Sequence, residues 1–360
     1  MSEGLFRRVL VIGTGLMGTS TALALHRSGA EVLLEDLDAG NLRVAVSLGA
    51  GTPFSGASPD PEPDLVVVGV PPAVLGNVVA DALERFPTSP VTDVGSVKAA
   101  ALADVERLAP DAVERYVGSH PMAGSEQSGP LAARADIFDG RAWAITPHPR
   151  SRDDAIAVVE QLARTCGAFP VRLSPSEHDE AVALVSHVPQ VAASVVAGLL
   201  TTAAEGHLML AGQGIRDVTR IAAGDPKLWT QILSANATPV ARLLHEAASD
   251  LQRFALTLEK LEPEELRDAL ERGGTGVRRL PGKHGARQES FTSIPVLLQD
   301  QPGELARLFA DVGGAGVNIE DVRMDHSPGT PAGLVELAVH DDAVPALLAA
   351  LERHGWTVHG

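Results

Sequence analysis

The run Gly13-Thr14-Gly15-Leu16-Met17-Gly18 has the spacing G-x-G-x-x-G, directly after the apolar stretch Val9-Leu10-Val11-Ile12 and at the opening of a helical segment. Each glycine has a separate use. The first permits a tight turn, the second lets a pyrophosphate approach the backbone, and the third lets helix and strand pack closely. The helix start at Leu16 and Met17 turns its N–H groups toward phosphate charge. Asp36 follows at the end of a second apolar run, Ala30–Leu34. A carboxylate about 20 residues beyond the glycines accepts hydrogen bonds from a ribose 2′-hydroxyl and repels a 2′-phosphate. No arginine lies within six residues after Asp36, so the chemistry points to NAD rather than NADP. A flavin shares the glycine spacing, and Asp36 on its own would also serve as a helix cap.

A nicotinamide that takes a hydride from an alcohol carbon needs a partner for the departing hydroxyl proton, and histidine is suited to that work because it titrates near neutrality. Composition does not choose among 12 histidines. Position does: His120 follows the short run Tyr116–Gly118, within Gly118-Ser119-His120-Pro121-Met122-Ala123-Gly124, on the C-terminal side of the sheet where ligands bind in such folds. The single cysteine, Cys166, cannot supply a disulfide or a multi-thiolate metal site, and no metal is expected.

These residues need a sheet to hold them. Apolar runs at Val9–Ile12, Ala30–Leu34, Leu65–Val68, Pro90–Val94, Tyr116–Gly118 and Trp143–Ile145 are separated by enough chain for helical crossovers, the pattern of an α/β Rossmann domain with a doubly wound parallel sheet, expected over about residues 1–172. From Ser176 to Leu261 alternation disappears and Ala, Leu and Val recur at helical spacing, which predicts an all-helical domain over 173–283, closed by an exposed linker at Gly273–Gln288. Its apolar helices between Val182 and Leu258 are too apolar for a free surface and predict a homodimer. The tail, 290–360, reads β-α-β-β-α-β, a small ferredoxin-like α+β module.

Composition narrows the partners. With 46 acidic against 29 basic residues, a formal charge of −17, and 3% aromatics, the surface repels nucleic acid and anionic membranes and offers little for base stacking. The apolar runs near Leu65–Leu75 and Val191–Ala204 fall short of the ~18 uninterrupted residues of a bilayer span. Arg7-Arg8 ahead of Val9–Leu25 imitates a secretory signal, but the glycine spacing favours a cofactor strand and helix. A cytoplasmic location is expected.

The block Gly118–Glu126 with Ser128-Gly129 and Trp143-Ala144-Ile145-Thr146-Pro147 resembles the signature of prephenate dehydrogenases. So do Asp93-Val94-Gly95-Ser96-Val97-Lys98, Ser186-His187-Val188-Pro189, and Arg216-Asp217-Val218-Thr219-Arg220 with Asp225-Pro226 and Trp229, in the right order over about residues 9–260. Asp300–Leu305 and Gly316–Ile319 resemble an ACT domain, a module that binds amino-acid effectors. A fusion to chorismate mutase is not expected.

The resemblance implies NAD-dependent oxidative decarboxylation of prephenate to 4-hydroxyphenylpyruvate in tyrosine biosynthesis. It implies His120 and Ser96 at the reacting hydroxyl, Arg220 on a substrate carboxylate, Ser125, Glu126 and His187 at the substrate, and feedback by an amino acid, tyrosine foremost, at the ACT module. Several positions keep a second reading. Arg220 could pair with Asp217 on its helix, His187 could be a hydrogen-bonded core residue, Trp229 could be packing, and Lys98 could steer the anion or hold Asp93 or Glu126. The family often carries a second histidine where this chain has Gln190. That departure leaves arogenate, alone or together with prephenate, as an alternative substrate. A catalytically idle NAD-bound amino-acid sensor and a β-hydroxyacid dehydrogenase are the alternatives from other classes.

Overall fold

The computed structural model describes residues 6–56, 62–124, 127–280, 291–299, 301–326 and 332–358. By contacts, the chain divides into two compact units, Met1–Thr202 with Val218–Arg253, and Ala203–Asp217 with Phe254–Gly360.

In the first unit β1 (Arg8–Ile12), β2 (Glu31–Glu35), β3 (Thr52–Pro53), β4 (Leu65–Val68), β5 (Val91–Asp93), β6 (Tyr116–Pro121), β7 (Ala142–Thr146) and β8 (Phe169–Arg172) form one sheet. Its order is β3-β2-β1-β4-β5-β6-β7-β8. The helices between them are α1 (Leu16–Arg27), α2 (Ala39–Ser47), α3 (Pro72–Arg85), α4 (Ala99–Leu108) and α5 (Asp153–Thr165). Along β1, Val9 and Val11 pack into one hydrophobic cluster with α1 and α5, while Leu10 and Ile12 pack into another with α3 and α4. Burial on both faces is why that run is continuously apolar.

The sheet departs from the expected all-parallel form at one end. β6 and β7 pair antiparallel, Gly118 opposite Thr146 and His120 opposite Ala144, and β7 and β8 are parallel to each other. A parallel partner requires a long crossover, usually a helix. Between β6 and β7 the described residues hold only a short 3-10 turn, Pro130–Ala132, so the chain doubles back. The edge strands β3 and β8 are short or half exposed and had no clear apolar signature.

The helical stretch contains α6 (Pro175–Val182), α7 (Val188–Leu199), α8 (Glu205–Leu208), α9 (Gln213–Thr219), α10 (Pro226–Ala235), α11 (Ala237–Lys260) and α12 (Pro263–Val277). A π-helical turn at Ala183–His187 joins α6 to α7. Proline inside a helix lacks an N–H and clashes with the preceding turn, and a local π-bulge is one way to absorb the mismatch. Pro189 therefore does not end the helix, and Pro175–Thr202 runs on for 28 residues, long and apolar enough by length and composition to cross a membrane. That corrects the expectation from the shorter run Val191–Ala204. The same helix buries His178, Asp179, His187 and Gln190, a polar set suited to a site inside a protein. Leu184, Val185, Val195 and Leu199 on it are exposed. The expected linker at Gly273 is helical as far as Val277, and residues 281–290 lie outside those described.

In the second unit β9 (Phe291–Gln299), α13 (Glu304–Gly314), β10 (Asp321–His326), β11 (Ala332–His340), α14 (Val344–Arg353) and β12 (Thr357–Val358) follow the expected β-α-β-β-α-β order. The sheet order is β10-β11-β9-β12, all antiparallel. Val296, Val335, Leu337, Leu308 and Leu351 form its core. The second strand, β10, begins at Asp321, and Pro302 stands just before α13, which opens after Gly303 in the left-handed region at φ 95°. Residues 327–331, between β10 and β11, lie outside those described.

Candidate active site

The β1–α1 loop shows why its glycines are spaced as they are. Gly13 has φ 95° and a Cβ there would stand 2.5 Å from the carbonyl oxygen of Gly69; at Gly18 a Cβ would stand 1.9 Å from that of Gly13. Both are demanded by the chain's own packing. Gly15 is different: a Cβ there meets nothing within 4 Å, so the chain itself gives no reason for its small size. Gly15 leads into α1 without a side-chain cap, and the first-turn N–H groups at Leu16 and Met17 have no acceptor within the helix. The space beside Gly15 and those donors suit a pyrophosphate.

Asp36 does more than the sequence suggested. Its Oδ2 accepts both the backbone N–H of Thr14, at 2.6 Å, and the Thr14 hydroxyl, at 2.7 Å, and its Oδ1 accepts the N–H of Asp38 at 2.7 Å. The carboxylate thus closes the glycine loop onto the end of β2. Oδ1 keeps an acceptor site that a ribose hydroxyl could use. The helix cap is not Asp36 but Asp38, whose Oδ1 accepts Gly40 N–H at 2.7 Å at the start of α2.

Two strands further along, β5 and β6 end side by side, with Asp93 opposite Gly118. Lys98 lies in the loop after β5, fully buried, with its ammonium on Asp93 Oδ1 and, at 2.8 Å, on the carbonyl of Ser119. Asp93 also accepts the Tyr116 hydroxyl at 2.8 Å and Gly95 N–H at 2.7 Å. The Ser119 hydroxyl accepts Trp143 Nε1–H at 3.0 Å and donates to the Asp93 carbonyl at 2.6 Å. The backbone immediately before His120 is therefore held from both sides. Lys98 holds Asp93 and is not available to steer an anion.

His120, at the end of β6, is half-buried and lies 2.9 Å, Nδ1 to Nε2, from His178 of α6. His178 Nδ1 in turn lies 2.8 Å from Asp179 Oδ1. Burial, followed by the neighbouring His178, Lys98 and His187, drives the His120 pKa well below its usual value. Burial likewise depresses His178, against the opposing pull of Asp179. His187, in the π turn, is 1% exposed and is pushed down to about 4 by burial, opposed by Asp179 and reinforced by His178. An imidazole in such surroundings is neutral near pH 7 and can accept a proton.

Of the positions singled out in the sequence, the structure brings His120 and His187 into one buried polar cluster with Lys98. Ser96 is half-buried in the Lys98 loop, and among the described residues no hydrogen bond joins it to His120. Arg220 begins a 3-10 turn, Arg220–Ala223, that packs against α7, and its side chain is exposed. Trp229 meets His187 edge to face at 6.1 Å between ring centres. Ser125 and Glu126 lie outside the described residues.

Sequence reasoning missed His178, Asp179 and Asn236. A signal was present: His178, Asp179, His187 and Gln190 are polar residues interleaved with Val182 and Ala183 along one buried stripe. A polar set on the core face of a helix needs partners.

Comparison with known proteins places these features in context. A family model described as the prephenate dehydrogenase nucleotide-binding domain matches residues 21–172, and one described as the prephenate dehydrogenase dimerization domain matches 174–272. The chain is 38% identical over 362 residues to a probable prephenate dehydrogenase, NovF, of Streptomyces niveus, covering 97% of this chain and 99% of that protein. It is 29% identical over 260 residues to a cyclohexadienyl dehydrogenase of Zymomonas mobilis, covering 69% and 87%. Its fold superposes with a TM-score of 0.68 on a prephenate dehydrogenase from Aquifex aeolicus in complex with hydroxyphenyl propionate and NAD+, at 27% identity over 77% of this chain and 99% of that one.

Proposed function

The chain belongs to the prephenate dehydrogenase family, and from that premise we propose that it binds NAD+ at the glycine loop and oxidises prephenate to 4-hydroxyphenylpyruvate with loss of CO2. His120 carries the assignment: a neutral imidazole at the C-terminal end of β6, one strand from the Ser96–Lys98 loop, in a sheet whose glycine loop opens the same edge. When bound, NAD+ supplies the hydride acceptor. Leu16 and Met17 N–H and the open space beside Gly15 would receive its pyrophosphate, and Asp36 Oδ1 would accept from its adenosine ribose. Asp36 and Asp38 together disfavour a 2′-phosphate.

The chain's own work is to bind, orient and move one proton. His120 accepts the proton of the ring hydroxyl, and Ser96, on the neighbouring loop, helps to align that hydroxyl. Arg220, with a planar fork suited to a carboxylate, holds the substrate together with His187; the resemblance adds Ser125 and Glu126, which lie outside the described residues. Aromatisation of the ring on loss of CO2 supplies the driving force, so positioning is the main demand on the protein, worth on the order of 7–11 kcal/mol in well-aligned systems. His120→Asn tests the assignment: kcat with prephenate and NAD+ is expected to fall about 10²-fold or more with KM little changed. Turnover equal to that of the wild type would remove His120 from the chemistry.

Arogenate is the second substrate to test, because Gln190, an amide where the family often has an imidazole, is buried on the same helix as His187. Parallel assays with prephenate and arogenate, each with NAD+ and NADP+, decide between them. We also propose that the enzyme is a homodimer, its exposed Leu184, Val185, Val195 and Leu199 covered by a second copy, which light scattering at micromolar concentration tests. The ferredoxin-like tail, as an ACT module, would take an amino-acid effector, tyrosine first; titration of tyrosine into the same assay is the check. Within the two segments that resemble an ACT domain, Asn318 donates to Glu320, and Asp300 lies outside the described residues.

A further inference from the structure

We infer that His178 and Asp179 are positioning residues that set which nitrogen of His120 is free to accept the proton, and that the same carboxylate ties this choice to the loop carrying Ser96. The inference rests on the reading of His120 as the base. It follows from donor and acceptor bookkeeping. A carboxylate oxygen only accepts, so at 2.8 Å from Asp179 Oδ1 the Nδ1 of His178 donates. Neutral His178 then has its lone pair on Nε2, which at 2.9 Å accepts from Nδ1–H of His120. A neutral His120 protonated on Nδ1 keeps its lone pair on Nε2. That is the acceptor a hydroxyl proton needs.

Asp179 is committed on every side. Its Oδ1 and Oδ2 accept the backbone N–H groups of Lys98 and Ala99, both at 2.9 Å, at the start of α4. Its backbone carbonyl accepts Asn236 Nδ2–H at 2.8 Å, and the same amide nitrogen lies 3.1 Å from His187 Nδ1. Because that carbonyl can only accept, the orientation of the Asn236 amide is settled, and His187 Nδ1 accepts, with its proton on Nε2. Asp179 thus joins α6 to the β5–α4 loop through its carboxylate and, through its backbone carbonyl and Asn236, to the π turn. The ionisable groups facing His120 are His178 from α6, Lys98 from the β5–α4 loop and His187 from the π turn; the Lys98 charge is balanced by Asp93.

A purely mechanical link between α6 and α4 would hold the elements together without regard to protonation, so the test reads the tautomer. Nitrogen-15 spectra of the histidine-labelled full chain near neutral pH, with His120 assigned by difference against His120→Asn, are expected to show His120 protonated on Nδ1 and bare on Nε2. His178→Gln, whose amide can donate to Asp179 and accept from His120, should keep that tautomer and stay within about tenfold of wild-type kcat. His178→Ala removes the acceptor, and both the Nδ1–H population and kcat should fall, kcat by about 10²-fold, with KM for prephenate changing far less. A wild-type His120 carrying its proton on Nε2 overturns the inference, as does His178→Ala with the tautomer and kcat of the wild type. If His178→Ala does not fold, the wild-type spectrum and His178→Gln still decide. Full turnover by His120→Asn is a separate failure: it removes the base, while the spectrum still decides whether the relay exists.

Discussion

Gly15→Ala and Gly18→Ala separate a glycine kept for a ligand from one kept for the fold. At Gly18 an added Cβ falls 1.9 Å from the Gly13 carbonyl oxygen, a backbone atom that cannot swing aside, so α1 must move off the loop. Overpacking of that kind costs about 1–3 kcal/mol. At Gly15 the backbone sits at φ −72°, ψ −165°, open to any residue, and the Cβ meets nothing within 4 Å. Alanine there should leave stability within about 0.5 kcal/mol, or raise it slightly by narrowing the unfolded ensemble. The methyl would instead occupy the approach proposed for the pyrophosphate. Losing one charge-assisted hydrogen bond to the α1 start is worth about 1.5–3 kcal/mol, which is about a 10- to 150-fold rise in the NAD+ Kd. Thermal melts without ligand and an NAD+ titration followed by fluorescence measure both quantities on both variants. Wild-type NAD+ affinity in a folded Gly15→Ala would show that the space beside Gly15 is not where the cofactor lies.

Arg220→Gln should raise KM for prephenate by about tenfold or more while kcat changes little, since it removes binding shared by ground and transition states; an equal fall in kcat instead would assign Arg220 to the chemistry. Acid should destabilise the protein through His187. The unfolded chain takes up that proton below about pH 6.5 and the folded chain only below about 4, so this contribution is complete above pH 6.5 and fades as pH falls toward 4, by about 3 kcal/mol in total. His120 and His178 shift in the same direction and steepen the loss; urea unfolding between pH 7 and 4.5 should show it, and His187→Gln should flatten it. Lys98→Met should cost about 3–5 kcal/mol by leaving Asp93 buried and unpaired, and the double variant Lys98→Met/Asp93→Asn should cost clearly less. Equal unfolding free energies for the single and double variants would contradict the pairing.

The parts of the fold and site written in local pattern were legible in the sequence, and those that depend on distant partners were not. The glycine spacing, the strands β1, β2, β4, β5 and β6, and the β-α-β-β-α-β tail each follow from residues adjacent in the chain. The reversal at β7 goes with the lack of a crossover helix among the described residues between Pro121 and Ala142, a stretch with no strong apolar period. The long helix through Pro189 was missed because proline normally marks an end, and only the π turn at Ala183–His187 shows how the chain continues. His120 could be picked out because it comes just after the short run Tyr116–Gly118, which the structure extends to Pro121 as β6. His178 and Asp179 could not, since their meaning comes from contacts with residues 58 and 81 positions away.

The charges in the described site divide the labour between binding and chemistry. Lys98 is neutralised by Asp93 and buried with it, the imidazoles of His120, His178 and His187 are held neutral by burial, and Asp179 adds a negative charge spent on backbone N–H groups and His178. The machinery around His120 therefore offers the proposed substrate prephenate, which carries two carboxylates, no net attraction, within a chain of formal charge −17. Affinity must come from cations outside that cluster, of which Arg220 is the candidate. The proposed base gains from this separation: a cation brought close enough to bind the substrate at His120 would disfavour its protonated form and depress its basicity further, as Lys98 already does in part. With the proposed carboxylate anchor, Arg220, on a separate helical turn, KM can be tuned without touching the proposed proton acceptor.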